Sequence, residues 1–356
     1  MKYRLSLQLK NETSKNSTWL TPLLAVIMAF ALGAVFLLAY GYDPISVYTS
    51  MLQGAFGSFY GFSETLVKAI PIAICSLAVA IAFRMQLWNI GAEGQLYMGA
   101  FAASWVALNM HDLPAAIIII LMFLVAAAAG GVWGAIPGSL KAYLGANETI
   151  TTLMLNYVAI LWVDFLVYGP WKDPKGYNFP LTPVFPKDAW LPILFGNRVH
   201  IGLILVLVLA MVLYLLIEKT AWGYRIRVIG HSQLAARYGG MNVKRTIIMA
   251  MFISGAIAGV AGMVEASGIT HRLQHTMSPG YGYTAIIIAW LSGLNALAIL
   301  PVSFLFGALL VGGYSVQSSG IPFAIVSMLQ GALLFFLVGG EVFSRYRIRL
   351  IKRGSN

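Results

Sequence analysis

Long apolar stretches alternate with short polar segments along almost the whole chain. A helix needs about 20 consecutive apolar residues to cross the hydrocarbon of a bilayer, and most of these stretches reach or approach that length. The pattern therefore predicts an all-α polytopic membrane protein with about ten transmembrane helices. The predicted spans are 19–41, 65–83, 95–110, 114–136, 150–169, 199–217, 246–266, 283–297, 300–317 and 321–340.

The composition excludes a soluble globular domain. Of the 356 residues, 59% are hydrophobic and only 10% are charged, whereas a soluble domain carries about 25% charged residues. The net charge of +11 does not indicate a nucleic-acid partner, because the basic residues lie in short segments between apolar stretches. The single cysteine, Cys75, excludes a disulfide framework and a cysteine-rich metal site.

Three basic segments set the expected orientation. Lysine and arginine are retained on the cytoplasmic side of a membrane, and here they concentrate in 1–18, 218–245 and 341–356. Six predicted spans precede residue 218 and four follow it, so all three segments can lie in the cytoplasm. The transmembrane domain then covers 19–340. Its segment 170–198 falls outside, where six prolines predict a rigid, irregular loop.

The segment FRMQLWNIGAEGQLYMGAF, residues 83–101, brings polar side chains between two apolar stretches. As a structural turn, it would end one helix at Arg84 and begin the next with Asn89 as a cap, and Glu93 would gain from the helix dipole. As a functional element, it would be a broken helix that lines a solvated cavity with Asn89, Glu93 and Gln95. Both interpretations can hold together.

A second polar stretch, GANETITTLMLNYVA at 145–159, predicts a helix that begins at Asn147 with Glu148 in its first turn. Asn156 lies deeper, where an amide in a membrane needs a partner. It is either a contact between helices or a contact in a pore. Two carboxylates, Asp164 and Glu265, fall near predicted helix ends. Each is either a functional group of the membrane interior or merely solvated, and we expect the second.

The basic segment 218–245 contains a short helix with clear end signals. Ser232 predicts an N-cap, the helix runs through about Tyr238, and two glycines end it. Small side chains on an exposed face would suit docking into a groove of a partner, although an ordinary basic loop explains the composition as well. The residues of this candidate docking loop are Ser232, Ala235, Ala236, Arg237, Gly239 and Gly240.

The remaining sequence patterns indicate helix packing rather than a chemical site. Glycines recur every fourth residue from Gly130 to Gly138 and again at Gly255 and Gly259, which is typical of closely packed membrane helices. The five histidines are scattered, with no metal-ligand spacing beyond a weak His271–His275 pair, so neither a catalytic residue nor a metal site is predicted. No G-x-x-x-x-G-K-[ST] occurs, so the chain has no P-loop for ATP.

Four segments together resemble the permease subunits of bacterial ABC importers in the branched-chain amino acid and ribose permease superfamily, most closely its simple-sugar and nucleoside branch. The spacing of Ala235, Ala236 and Gly240 is also similar to that of the loop by which such permeases contact their ATPases. The resemblance covers about residues 20–340. Its segments are NIGAEGQLYMGAF (89–101), GANETITTLMLNYVA (145–159), HSQLAARYGGMNV (231–243) and ISGAIAGVAGMVEASG (253–268).

The resemblance implies a multi-pass subunit of the bacterial cell membrane that works with other proteins. Its partners would be ABC ATPase subunits, a second permease subunit, either a copy or a paralogue, and an extracytoplasmic binding protein or lipoprotein that delivers the solute. ATP and Mg would be bound by the ATPase, and this chain would hold no cofactor. It would form the translocation path for a nucleoside or simple sugar. The residues expected along that path are Asn89, Glu93, Gln95, Asn156, Trp290 and Asn295.

Two other functional classes are weighed against this one. An ion-coupled secondary transporter of a small polar solute would place ionisable groups near the midplane, whereas the carboxylates here lie near predicted helix ends. An intramembrane enzyme would need a Ser/His, paired-Asp or H-E-x-x-H arrangement at membrane depth, and the predicted spans contain none.

Overall fold

The computed structural model describes residues 3–9, 17–110, 113–318 and 320–352. The chain divides into two compact units, a smaller one of Met1–Leu52 with Gly312–Asn356 and a larger one of Gln53–Val311. In chain order, the elements within the described residues are β1 (Tyr3–Leu9), α1 (Ser17–Ala39), α2 (Pro44–Phe56), α3 (Phe59–Arg84), α4 (Ala92–Asn109), α5 (Ala115–Ser139), α6 (Glu148–Tyr168), α7 (Gly202–Lys219), α8 (Ala221–His231), α9 (Gln233–Tyr238), α10 (Val243–Glu265), α11 (Tyr281–Leu291), α12 (Ala296–Gln317), α13 (Ala324–Arg345) and β2 (Tyr346–Lys352).

Each predicted span coincides with a helix, but not every helix is long and apolar enough to cross a membrane. In the described part of the chain, six segments are long and apolar enough to do so. They are α3, α6, α7, α12, and the helices α5 and α10 with the π-helical turns that extend them. The pair α1 and α2 would be a seventh span, bent by 118°. Because α11 and the segment Ala324–Gly340 of α13 are shorter apolar helices, the count of ten stays a prediction.

The helix ends follow local capping. The Ser58 hydroxyl accepts a hydrogen bond from the Gly61 N–H at 3.0 Å, which begins α3, and α3 ends at Arg84 as the sequence predicts. The Asn147 side chain accepts from the N–H groups of Thr149 and Ile150, at 3.0 and 3.3 Å. These bonds satisfy donors that the first turn of a helix leaves free. They confirm the predicted start of α6.

Within the larger unit, α3 and α10 form the centre. In the most apolar 18-residue stretches of α3 and α10, 89% and 72% of the residues are buried, whereas the value is 28% in each of α5 and α7. The peripheral helices thus keep apolar faces outward, as lipid requires. On α5, a Cβ at Gly130 would overlap the backbone of Gly255 on α10, and one at Gly134 would overlap Met251. The predicted glycine ridges are therefore confirmed as close helix contacts.

The smaller unit contains the exception to an all-helical description. β1 and β2 pair antiparallel, with Tyr3 opposite Lys352 and Leu9 opposite Tyr346. YRLSLQL alternates apolar and polar residues throughout, and YRIRLIK does so as far as Leu350. This is the period of a strand rather than of a helix. The sequence interpretation treated these segments only as basic tails.

Candidate functional site

The non-helical break between α3 and α4 is stabilised by hydrogen bonds of the Asn89 side chain, which is fully buried. Its Nδ2 donates to the Ser254 hydroxyl at 2.8 Å and to the Gln95 Oε1 at 3.2 Å. Its Oδ1 accepts from the Gly91 N–H at 3.0 Å and from the Gln95 Nε2 at 3.2 Å. Asn89 and Gln95 thus form an amide pair that ties the break to α10, where the Ser254 hydroxyl in turn donates to the Ala78 carbonyl.

Asn156 joins the same break to two further helices. Its Oδ1 accepts from the Gly94 N–H at 2.8 Å, and its Nδ2 donates to the Ile90 carbonyl at 2.9 Å and to the Tyr283 hydroxyl at 3.3 Å. A Cβ on Gly94 would lie 2.8 Å from Asn156, so this approach requires a glycine. Asn156 therefore connects α6, the start of α4 and α11.

Glu93 lies between two helix starts. It is 2% exposed, in the first turn of α4. Its carboxylate accepts from the Gly282 N–H at 2.7 Å, near the beginning of α11, and from the Ser278 hydroxyl. The N-termini of helices favour a negative charge. Glu93 thus bonds α4 to α11.

The last two predicted path residues lie at the other end of α11. Trp290 is half-buried, and its ring centroid lies 5.8 Å from that of Trp88 and 6.0 Å from that of Phe83. Asn295 is exposed, and its Oδ1 accepts from the N–H groups of Leu297 and Ala298 at 3.0 and 3.4 Å, as a cap of α12. These two side chains therefore do not join the network around Asn89 and Asn156.

The structure reveals a cluster of charges that the sequence interpretation missed. Glu265, expected to be solvated, is 1% exposed, so that expectation was wrong. One of its oxygens lies 3.9 Å from the Lys68 Nζ, and the other is buried without a hydrogen-bond partner among the described residues. The Lys68 Nζ also donates to the Tyr281 hydroxyl at 3.2 Å. Lys68 lies about 14 Å along α3 from its first residue, well inside a spanning helix.

A second ion pair continues this cluster toward the helix ends. Glu64, one turn before Lys68 on α3, accepts from Arg198 at 3.1 Å. The charges Arg198, Glu64, Lys68 and Glu265 therefore alternate in sign. The sequence signal was the spacing of Glu64 and Lys68, four residues apart and so on one helix face. We refer to these four residues with Tyr281 as the charged cluster.

The segment 170–198 packs back on the residues that follow α10. The Thr182 N–H donates to the Leu273 carbonyl at 2.9 Å and the Phe185 N–H to the His271 carbonyl at 2.8 Å. The Trp190 ring stacks on His271 with centroids 3.8 Å apart, and burial lowers the pKa of His271 from its ordinary value. These contacts hold the loop in one irregular arrangement. Asp164 is partly buried and meets His275 at 2.7 Å.

At the opposite end of α7, the candidate docking loop contains the predicted short helix. Ser232 caps α9 by accepting from the Ala235 N–H at 3.2 Å, and Gly239 follows the last helical residue. Gly240 adopts φ +71, which favours glycine. Ala235 is exposed, but Ala236 is fully buried, because the helix turns that position inward; its predicted exposure was wrong.

An ion network connects this end to the break after α3. Glu218, at the end of α7, lies 2.9 Å from Arg84 and 3.2 Å from Arg227 on α8. Arg84 also donates twice to the Leu294 carbonyl, at 3.0 and 3.2 Å. A Cβ on Gly230 would overlap the Arg84 carbonyl. α8 is therefore in direct contact with the end of α3.

Comparison with known proteins identifies the family. Residues 61–338 match the family described as the permease component of branched-chain amino acid transport systems. The chain belongs to this family: it is a multi-pass cell-membrane permease subunit of an ABC transporter, whose ATPase is a separate subunit. The ion-coupled alternative is accordingly not favoured.

Three relatives match nearly end to end. A glucose ABC transporter permease of Haloferax volcanii is 37% identical over 94% of this chain and 92% of its own length. A guanosine ABC transporter permease of Bacillus subtilis is 35% identical over 95% and 98%, respectively. A nucleoside ABC transporter permease of Lactococcus lactis subsp. cremoris is 32% identical over 91% and 92%.

Proposed function

We propose that this chain forms the translocation path of an ABC importer for a nucleoside or a simple sugar. The substrate assignment is carried by the relatives, whose names give glucose, guanosine and nucleosides as their solutes. Such solutes are neutral and rich in hydroxyl groups. Their passage requires hydrogen-bond donors and acceptors in a wall that is otherwise apolar.

The charged cluster supplies such groups. Ionisable side chains at membrane depth pair with one another and face the protein interior or water. Here an ammonium, a phenol and a buried carboxylate oxygen without a partner come together. We place the solute path beside Lys68, whose side chain is partly exposed, with Glu265 and Tyr281 buried behind it. The previously predicted path residues keep defined places in it: Asn89, Glu93, Gln95 and Asn156 hold the wall together, and Trp290 and Asn295 border its other end, where Trp290 offers a ring on which a base can stack.

α9 is the proposed contact with the ATPase. Leu234 and Tyr238 are 64% and 86% exposed, with Ala235 beside them. Exposed apolar residues on a capped helix suit a groove in a partner. The docking loop of Ser232, Ala235, Ala236, Arg237, Gly239 and Gly240 presents this surface. ATP and Mg are bound by the ATPase in this proposal, and the present chain contributes no catalytic residue and no cofactor or metal ligand.

Movement of the ATPases would reach the path through α8. The contacts of Glu218 with Arg84 and Arg227 give a continuous connection from the docking loop to the break before α4. The helices then rock, so that the path opens to one side at a time. A second permease subunit completes the path, and an extracytoplasmic binding protein delivers the solute near segment 170–198.

Uptake of labelled solutes tests this proposal. Cells that produce the chain with its ATPase and partner permease should take up guanosine or glucose only while the ATPase is present. K68M should abolish that uptake, because it leaves the Glu265 carboxylate buried without a cation. The double variant K68E/E265K should restore part of it. K219M, the same change at an exposed lysine at the end of α7, serves as the matched control and should transport normally.

Two results would contradict the proposal. Uptake that survives loss of the ATPase but collapses with an uncoupler would favour an ion-coupled secondary transporter. Normal uptake by an inserted K68M variant would remove the charged cluster from the path.

A further inference from the structure

A cavity of about 320 Å³ lies beside α9, at the end of the larger unit that carries the docking loop. Its wall comes from three places: the π-helical turn Leu140–Leu144 that extends α5, the α9 helix, and the first turns of α10. The charged cluster lies on other elements. The cavity is thus a separate feature; of the residues that line it, only Arg237 also belongs to the docking loop.

Positive charge dominates this cavity. Lys141, Arg237 and Lys244 line it. Among the described residues, the carboxylate that forms an ion pair with these cations is that of Glu148, which lies 2.8 Å from the Lys141 Nζ. Arg237 and Lys244 are exposed and lack such a carboxylate partner in that part of the chain. Two cations that share a concave site attract an anion.

The cavity also borders an apolar surface. Val243 and Ile247 line it and are only 5% and 4% exposed. Next to it, Tyr143 and Leu144 are 66% and 76% exposed at the end of the spanning segment Ala115–Leu144. The Lys244 Nζ lies 5.0 Å from the centroid of the Tyr143 ring. An exposed tyrosine beside a lysine at the end of a spanning helix is typical of the headgroup level of a bilayer.

We propose that this cavity binds the headgroup of an anionic phospholipid. The phosphate would lie between Arg237 and Lys244, and the acyl chains would continue along Tyr143 and Leu144. Basic pockets between membrane helices are a known chemistry for anionic lipid headgroups. An occupant with one anionic and one apolar part satisfies both surfaces, whereas a free anion satisfies only the first.

The helical period of α9 separates this site from the proposed ATPase contact. Gln233 and Arg237, four residues apart, line the cavity. Leu234 and Tyr238, also four apart, lie on the next face and are exposed. Residues four apart share one side of a helix. A bound lipid would therefore hold one side of α9 while the other side stays available to the ATPase.

Lipid retention measured by native mass spectrometry tests the site. The full-length chain, purified in mild detergent, is titrated with phosphatidylglycerol and with phosphatidylcholine. We expect preferential retention of phosphatidylglycerol and a loss of about tenfold in R237Q/K244Q, since each cation near a headgroup contributes to the attraction. The variant K219Q/R225Q removes the same charge from exposed positions outside the cavity and should retain the lipid. Unchanged binding of phosphatidylcholine and an unchanged melting temperature show that both variants are folded.

Three outcomes would overturn the proposal. Equal loss in both double variants would mean general attraction to the basic surface. Displacement of phosphatidylglycerol by millimolar inorganic phosphate alone would assign the cavity to a free anion. Loss of the lipid when the wild-type chain is assembled with its ATPase would assign the cavity to acidic side chains of that partner.

Discussion

At the residue scale, Asn156 shows how a single amide joins three helices. Its side chain satisfies the Gly94 N–H and the Ile90 carbonyl, both at the broken start of α4. Lipid offers no replacement partner for an unpaired backbone group. Each buried polar group that loses its partner costs about 1–3 kcal/mol. Asn156 therefore contributes to stability through the groups that it satisfies as much as through its own burial.

The substitution N156L should lower the apparent melting temperature of the detergent-purified chain clearly, because it leaves two buried backbone groups unpaired. The expected loss of stability is about 2–6 kcal/mol, from two such groups. Thermal unfolding monitored by intrinsic fluorescence measures it. M154L, at a position on the same helix that is 51% exposed, should change the melting temperature little. Equal melting temperatures for N156L and the wild type would show that water or another side chain replaces the amide.

At the scale of an element, α9 combines three roles within only six residues. Ala236 is buried against the body, Arg237 lines the cavity, and Leu234 and Tyr238 project into solvent. A helix of six residues is not stable by itself in water, because it has too few hydrogen bonds to offset the cost of its nucleation. Its Ser232 cap and the burial of Ala236 therefore hold it in place. Any test of docking must change the exposed face and leave Ala236 intact.

The double variant L234E/Y238E should uncouple the permease from its ATPase. Two carboxylates on the exposed face would oppose burial in an apolar groove, because charged groups are costly to desolvate. We expect substrate-stimulated ATP hydrolysis of the reconstituted transporter to fall to the basal level, with normal membrane insertion. Y224E, on α8 at a position 56% exposed, is the control. Full stimulation in L234E/Y238E would exclude this face as the contact.

At the scale of the whole molecule, the topology depends on which side each polar segment occupies. α7 separates segment 170–198 from α8 and α9, and it is long and apolar enough to cross the membrane. The antiparallel pairing of β1 with β2 brings residues 3–9 and 346–352 side by side, and their cytoplasmic position stays a prediction. The cytoplasmic position of the docking loop and the outer position of 170–198 remain predictions.

Cysteine labelling in intact cells checks this orientation. In a C75A background, which removes a buried native thiol, single cysteines replace Tyr177 or Tyr238, whose side chains are 92% and 86% exposed. A membrane-impermeant maleimide should label Y177C in intact cells and Y238C only after permeabilisation. The opposite result would invert the topology and with it the docking assignment.

The sequence by itself determined the class of the molecule and those helix ends that carry clear capping signals. Apolar length and end signals such as Asn147 and Ser232 act within a few residues of the chain, so no tertiary information is needed to interpret them. The family motifs likewise lie in continuous segments. The glycine ridges predicted close packing because a glycine has no side chain, so the backbone of a neighbouring helix can approach it closely.

Only the tertiary structure decided how the polar groups pair. Lys68 and its Tyr281 partner are 213 residues apart, and nothing local in either segment specifies the other. The burial of Glu265 and Ala236, which the sequence interpretation placed in solvent, follows from which helix packs on which face. Periodicity predicts that a helix has faces, whereas the neighbour of each face is set by packing across the whole chain.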